Sequence, residues 1–134
     1  DELPDMSSVR VDDVAAARDM TRYLIGLGHR RVGFVRGAQN HVISRTRFEG
    51  YRLALSEHGI DLDPDLVVDG DLTFDSGLAA TEQLLSLRDP PSAIFASNDD
   101  MAAAVVSVAH RRDIRVPDQL SIVGFDDSPI SRKI

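Results

Sequence analysis

The sequence predicts an α/β fold: a doubly wound parallel sheet of about five strands with helices on both faces. Two observations carry this reading. Short apolar, β-rich runs alternate along the chain with longer segments whose apolar residues recur at helical spacing. The short runs are apolar throughout rather than at every second residue, so they need cover on both faces. Size agrees, since 134 residues suit one domain and bury about two thirds of the unfolded surface without staples.

The elements follow in order. Val9-Arg10-Val11 alternates and is read as a short strand. Asp12 and Asp13 then supply an N-cap for a helix with an apolar stripe at Val14, Ala17, Met20, Leu24 and Leu27, stopped by Gly28. Arg31 to Arg36 is a buried strand. Ser44 is read as the cap of a second helix, with Phe48, Tyr51, Leu55 and His58 on one face and Gly59 as its stop. Leu66-Val67-Val68 is the third strand, followed by a helix marked by Phe74, Leu78, Thr81 and Leu85 and ended by Asp89-Pro90-Pro91. Ala93 to Ala96 is the fourth strand. Ser97 to Asp100 caps a helix over 99–112 that is apolar nearly all round, so it needs cover beyond the sheet: a second copy of the chain, or deep burial within one domain. Leu120 to Gly124 is the fifth strand, and 126–134 has no clear pattern.

Composition excludes several functions. The chain has no cysteine, which removes disulfide frameworks, Cys-ligated zinc, iron–sulfur clusters and thiol nucleophiles. Its 22 acidic against 15 basic residues leave a net charge of −7, which repels phosphate backbones and anionic lipids, so this chain by itself is not expected to bind DNA. No apolar run is long enough to span a bilayer. No signal peptide opens the chain, and the first residue is not Met, which points to a piece of a longer protein.

Ligands of an open α/β sheet bind outside the carboxyl ends of the strands. The residues that follow the strands are therefore the candidates: His41, Ser44, Arg45 and Arg47; Asp71, Leu72 and Thr73; Ser97, Asn98 and Asp99; and Phe125, Asp126 and Asp127. Cations, an amide and carboxylates among apolar side chains can clamp a small polar molecule such as a sugar. Arg45 and Arg47 near a helix start oppose the macrodipole; they either meet a ligand, face solvent or pair with a rim acid. Asn98 and Asp99 either cap the next helix or touch ligand. Asp126 and Asp127 could bind hydroxyls, bind a metal or solvate a turn. His29, His58 and His110 lie near helix ends, where a structural role is expected. Glycine-rich phosphate loops, nucleophile elbows and metal-binding His spacings are absent, so no catalytic residue, cofactor or metal is expected. A phospho-receiver would want a Lys after the last strand, and the only Lys is Lys133.

Four segments in order resemble the lactose-repressor (LacI/GalR) family of bacterial transcription regulators. Leu24 to Val32 is similar to its LxxLGHRRI, Arg47 to Leu55 to its RxxGYxxAL, Pro91 to Ala102 to its PTAIFAxNDxMA, and Val116 to Asp127 to its VPxDxSVVGFDD. The resemblance runs from about residue 9 to 128. It implies that 1–134 is the C-terminal lobe of a two-lobed, periplasmic-binding-protein-like effector domain, with a helix-turn-helix and most of the first lobe outside the chain. It implies a cytoplasmic, non-enzymatic repressor that responds to a sugar or similar polar molecule and meets operator DNA only through the missing N-terminal part. A periplasmic sugar receptor of a transporter is the alternative, and a phospho-receiver or enzyme using the rim carboxylates a more distant one. Carried over residue by residue, the effector contacts would be Arg47, Asn98 and Asp126, with His41 a further candidate. Leu72 stands where relatives often place a stacking aromatic ring, a departure that weighs against ring stacking here. The homodimer face would use Met101, Ala103, Val106 and Ile130. Asp113 stands where Gly often ends the preceding helix, and Asp tolerates the left-handed conformation.

Overall fold

The structure, a computed structural model, describes residues 6–38 and 42–125. The first helix, α1 (Met6–Gly26), leads into strand β1 (Val32–Arg36) and helix α2 (Val42–Glu57). Strand β2 (Val67–Asp69), helix α3 (Phe74–Leu85), strand β3 (Ala93–Ala96), helix α4 (Asp99–Arg111) and strand β4 (Ser121–Gly124) follow. The four strands form one parallel sheet in the order β2-β1-β3-β4. Phe34 aligns with Val67 on one side and Phe95 on the other, and Phe95 aligns with Val123.

Strand residues alternate between two cores, as the pleat requires. Val32, Phe34, Ala93 and Phe95 face α1 and α2, where Ala17, Leu24, Tyr51, Ala54 and Leu55 are buried. Val35, Val68, Ile94 and Ile122 face α3 and α4, where Leu84, Met101, Val105 and Ala109 are buried. Phe34 is the centre of the first core, with its ring 4.7 Å from Tyr51 and 5.1 Å from Phe95. Glycines set both helix crossings. A Cβ on Gly50 would lie 2.5 Å from the Val14 carbonyl oxygen of α1, and one on Gly77 would lie 2.9 Å from Met101 Cα of α4.

Several element boundaries fall where the residues indicate. Gly28 stops α1 at φ 106°, and Asp113 takes the left-handed conformation at φ 57°. The end of α4 is closed by bonds from Asp113 N to His110 O and from Ile114 N to Ala109 O, the pattern of a helix finished by one left-handed residue. His58 Nδ1 donates to Ala54 O at 2.8 Å, and so does terminate a helix.

Four expectations are corrected. Val9-Arg10-Val11 is not a strand but part of α1, because three alternating residues are too few to separate a period of 2 from one of 3.6. The sheet therefore has four strands among the described residues rather than about five. Asp12 and Asp13 lie inside α1, and Ser44 lies inside α2, so none of them is a cap. Met101 of α4 is fully buried against Gly70 and against Gly77 of α3 and has no surface to offer a second copy. The apolar excess of α4 is thus largely absorbed within the chain. Ala103 is exposed and Val106 half-buried, while Ile130 lies outside the described residues.

Candidate functional site

All four strands run the same way, so their carboxyl ends share one rim, and the first turns of α2, α3 and α4 start there. Arg47 reaches into this rim from α2 and is only 4% exposed. Its Nη1 donates to Ser97 O, just past β3, at 2.7 Å. The guanidinium carbon lies 4.0 Å from the ring centroid of Phe125, just past β4. Its Nε is 3.5 Å from Asp13 Oδ2 on α1. A buried guanidinium needs such partners, because desolvation penalises an unpaired charge by several kcal/mol. The ring face supplies about 2 kcal/mol of that compensation when water is excluded. One side chain therefore joins two helices and the ends of two strands.

Ser97 fixes the floor of the rim. Its backbone N donates to Val35 O at 3.1 Å, and its hydroxyl donates to the same oxygen. Its own carbonyl is left for Arg47. Asn98 follows in extended conformation and caps α4, with Oδ1 accepting from Met101 N at 3.0 Å. Its Nδ2 donates to Leu72 O at 2.9 Å. Capping is thus observed, and it leaves one donor and one lone pair on a partly exposed amide. Asn98 can hold a helix and still bind a hydroxyl.

Leu72 is the strained member, with φ 76°. A branched-at-γ residue in the left-handed region costs about 1–2 kcal/mol. The bond from Asn98 to its carbonyl and the contact of its side chain with Gly37 hold it there; a Cβ on Gly37 would lie 2.7 Å from Leu72 Cδ2. Beside it, Asp71 accepts from the Thr73 hydroxyl and from Thr73 N, and Asp71 N reaches Ser76 Oγ at 2.9 Å. The Thr73 hydroxyl, chiefly, holds the Asp71 carboxyl below its ordinary range. Thr73 caps α3 by accepting from Ser76 N.

The structure brings Arg47, Asn98 and Leu72 to one rim. Phe125 is there too, and Asp126 is the next residue in the chain. Asp126 and His41 lie outside the described residues. Arg45 is exposed and turns away from Arg47, lining a separate hollow of about 260 Å³ with Arg36, Ser44, Phe48 and Glu49. His29 is at the opposite end of the sheet, bridging the hydroxyls of Ser92 (2.7 Å) and Ser121 (2.9 Å). Sequence reading missed Asp13 as a partner of Arg47. The one available signal was an acid four residues before Ala17 on the α1 stripe, and it was absorbed by the helix-cap reading. Among the described residues no three acidic, His or Cys side chains gather as a metal site would require.

A parallel α/β sheet with a buried cation, an amide and an aromatic ring on its carboxyl rim has the build of a small-molecule-binding lobe. Comparison with known proteins agrees. The family model for the periplasmic binding protein-like domain matches residues 21–134. The HTH-type transcriptional repressor CytR of Escherichia coli K12 is 40% identical over 131 residues, 98% of this chain and 38% of the repressor. The HTH-type transcriptional regulator CelR of Thermobifida fusca is 39% identical over 126 residues, 94% of this chain and 37% of the regulator. Among solved structures, a transcriptional regulator CelR–cellobiose complex superimposes with a TM-score of 0.83 at 40% identity, covering 87% of this chain and 36% of that one. A sugar-binding transcriptional regulator of the LacI family from Escherichia coli, complexed with phosphate, gives 0.83 at 38% identity over 89% of this chain and 43% of that one. The chain belongs to the periplasmic binding protein-like domain family, and regulators of the LacI family are among its relatives. It spans less than half the length of the relatives it matches.

Proposed function

We propose that residues 1–134 form the C-terminal lobe of the effector-sensing domain of a longer bacterial transcription regulator. It acts as a repressor that responds to a sugar or a related polar metabolite and has no catalytic role. The observation that carries this reading is Arg47, buried over Phe125 and bonded to the carbonyl that precedes Asn98. This arrangement presents a pre-oriented guanidinium and an amide side by side, which suits vicinal hydroxyls. Asp126 would add a carboxylate acceptor and His41 a further contact, while Leu72 offers apolar surface without an aromatic ring. The other half of the cleft would come from the first lobe. An effector that bridges both lobes shifts the regulator between states by its differential affinity for them.

The acidic net charge of −7 supports operator contact through a separate N-terminal part. A homodimer in the cytoplasm completes the reading, with Ala103, Val106 and Ile130 at its face. Among the described residues no helix is long and apolar enough to cross a membrane. The test is a thermal-shift screen of mono- and disaccharides, cellobiose included, on the full-length protein. At least one is expected to raise Tm, and Arg47→Met is expected to abolish the shift. A screen in which no saccharide raises Tm, or an Arg47→Met variant that responds as the parent does, overturns the reading.

A further inference from the structure

Arg45 is a cation that the rim around Arg47 does not use. It stands near the start of α2, where the positive end of the helix macrodipole opposes it. It lines a hollow of about 260 Å³ with Arg36, Ser44, Phe48 and Glu49. Arg36 comes from the end of β1. Its guanidinium carbon lies 5.0 Å from the Phe48 ring centroid, and its Nε donates to Asp69 Oδ1 at 2.6 Å. Ring and carboxylate fix the plane of the fork and leave its two amino groups for a further acceptor. Glu49, the acid of the hollow, is held by Arg52, whose Nη2 donates to Oε2 at 2.5 Å and whose Nε donates to Oε1 at 3.2 Å.

Two further features point to an anion. Ser44 is 2% exposed and lines the hollow, and among the described residues no hydrogen bond occupies its hydroxyl. A buried hydroxyl without a partner costs free energy that an acceptor in the hollow would recover. Charge is the second feature. Arg36, Arg45 and Arg52 against Asp69 and Glu49 leave an excess of one positive charge here, in a chain whose net charge is −7. Guanidinium groups from two elements, a hydroxyl and the positive end of α2 suit the several oxygens of a phosphate better than the two of a carboxylate. The hollow is also below the roughly 300–1,000 Å³ of a pocket that encloses a whole drug-sized ligand, so it suits one substituent.

The hollow borders the rim. A Cβ on Gly37 would lie 2.4 Å from Ser44 Oγ and 2.7 Å from Leu72 Cδ2, so the Ser44 wall and Leu72 are neighbours across one glycine. We propose that this hollow binds the phosphate of a phosphorylated sugar whose ring lies at Arg47 and Asn98. The proposal rests on the reading of that rim as an effector site and adds the anionic group to it. Arg45 then distinguishes the phosphate ester from the free sugar, while Arg47 serves the ring of both.

The test is calorimetric titration of the full-length protein with glucose, mannose and fructose, with their 6-phosphates, and with inorganic phosphate. At least one 6-phosphate is expected to bind about tenfold more tightly than its free sugar, the gain of one charged hydrogen bond. Arg45→Gln, a change at an exposed position, is expected to remove that advantage and leave the free sugar's affinity unchanged. An advantage that persists in Arg45→Gln overturns the proposal. So does inorganic phosphate binding as tightly as the ester, since the ring would then contribute nothing. The two readings fail separately. Free sugars that bind with no gain from the phosphate remove the subsite alone. Inorganic phosphate that binds through Arg45, while no saccharide binds in either form, removes the sensor and leaves the hollow an anion site unconnected to an effector. Absence of binding by every probe overturns both.

Discussion

The two ends of the sheet hold buried or half-buried polar groups in opposite ways. At the amino end these groups close on one another. His29 bridges Ser92 and Ser121. Arg31 binds Asp63 at 3.1 Å and the Asp89 backbone at 3.0 Å. The Tyr51 hydroxyl donates to Val32 O at 2.6 Å. At the carboxyl end Asn98 is anchored through both Oδ1 and Nδ2 and still leaves one donor and one lone pair forward, and one residue there is held at positive φ. The difference teaches that polar burial alone does not mark a binding site. What sets the proposed effector rim apart is anchoring that leaves donors and acceptors in hand, together with local strain the surroundings maintain.

Removing Arg47 breaks the comparison most severely. Arg47→Met is expected to weaken effector binding by the full-length protein about 100-fold, as when one partner of a buried charged hydrogen bond is truncated. It is also expected to lower stability by about 2–3 kcal/mol, because Asp13, whose Oδ2 is buried, loses the guanidinium 3.5 Å away and the Ser97 carbonyl loses its donor. Adding Asp13→Asn should recover part of the stability and none of the affinity. Calorimetric titration and denaturant melts on the single and double variants check both. Equal recovery of affinity and stability would make Arg47 a strut rather than a ligand.

Tyr51→Phe is the counterpart at the amino end. It leaves the Val32 carbonyl without its buried donor and is expected to lower stability by about 1–2 kcal/mol, with effector affinity unchanged. Burial, first, and the nearby Asp63 raise the Tyr51 hydroxyl well above its ordinary value of 10.0. A folded-state value above the unfolded one means that its stability contribution is complete below pH 10 and falls as pH rises beyond it. Alkaline melts of the wild type should therefore lose stability above about pH 10 more steeply than those of Tyr51→Phe. His29→Ala, which frees two serine hydroxyls of which Ser92 is exposed, is expected to lower stability by about 1 kcal/mol and again to spare affinity. A loss of affinity in either variant would erase the distinction between the ends.

Much of this contrast was legible in the sequence, and the parts that were not have physical reasons. The strands at Val32, Val67, Ala93 and Ser121 and the helices before them follow from apolar runs and periodicity that tertiary contacts only reinforce. The expectation of a parallel sheet, with ligands beyond the carboxyl ends of its strands, put Arg47, Leu72 and Asn98 on one list. Asp13 escaped because a helix start and a helix interior both accept Asp, and only the crossing at Gly50 tells which applies. Met101 escaped because an all-round apolar helix looks alike under a second helix and under a second molecule. The left-handed Leu72 had no signal at all, since leucine is seldom found there and only its neighbours impose it.

The smallest expected effect tests whether the carboxyl end is purely a binding rim. Asp71 sits on that rim, with its Oδ1 accepting from the Thr73 hydroxyl and amide and its backbone N donating to Ser76 Oγ, so it is tied to its own turn much as the amino-end groups are tied to one another. The Thr73 hydroxyl, then Ser76 and the Thr73 amide, hold its carboxyl below the ordinary 3.8. A folded-state value below the unfolded one contributes stability that is fully present above that ordinary value and is lost as pH falls through the folded one. Asp71→Asn should therefore melt slightly below the wild type at pH 7, and the gap should close only in strongly acid solution, below the ordinary carboxylate range. The neutral amide can still accept from Thr73, so the difference at pH 7 should stay small, and effector affinity should not change. A drop in affinity with the same pH profile would mean that the turn at Asp71 is tuned for ligand as much as for the start of α3, and the line between the two ends would have to be drawn through this residue.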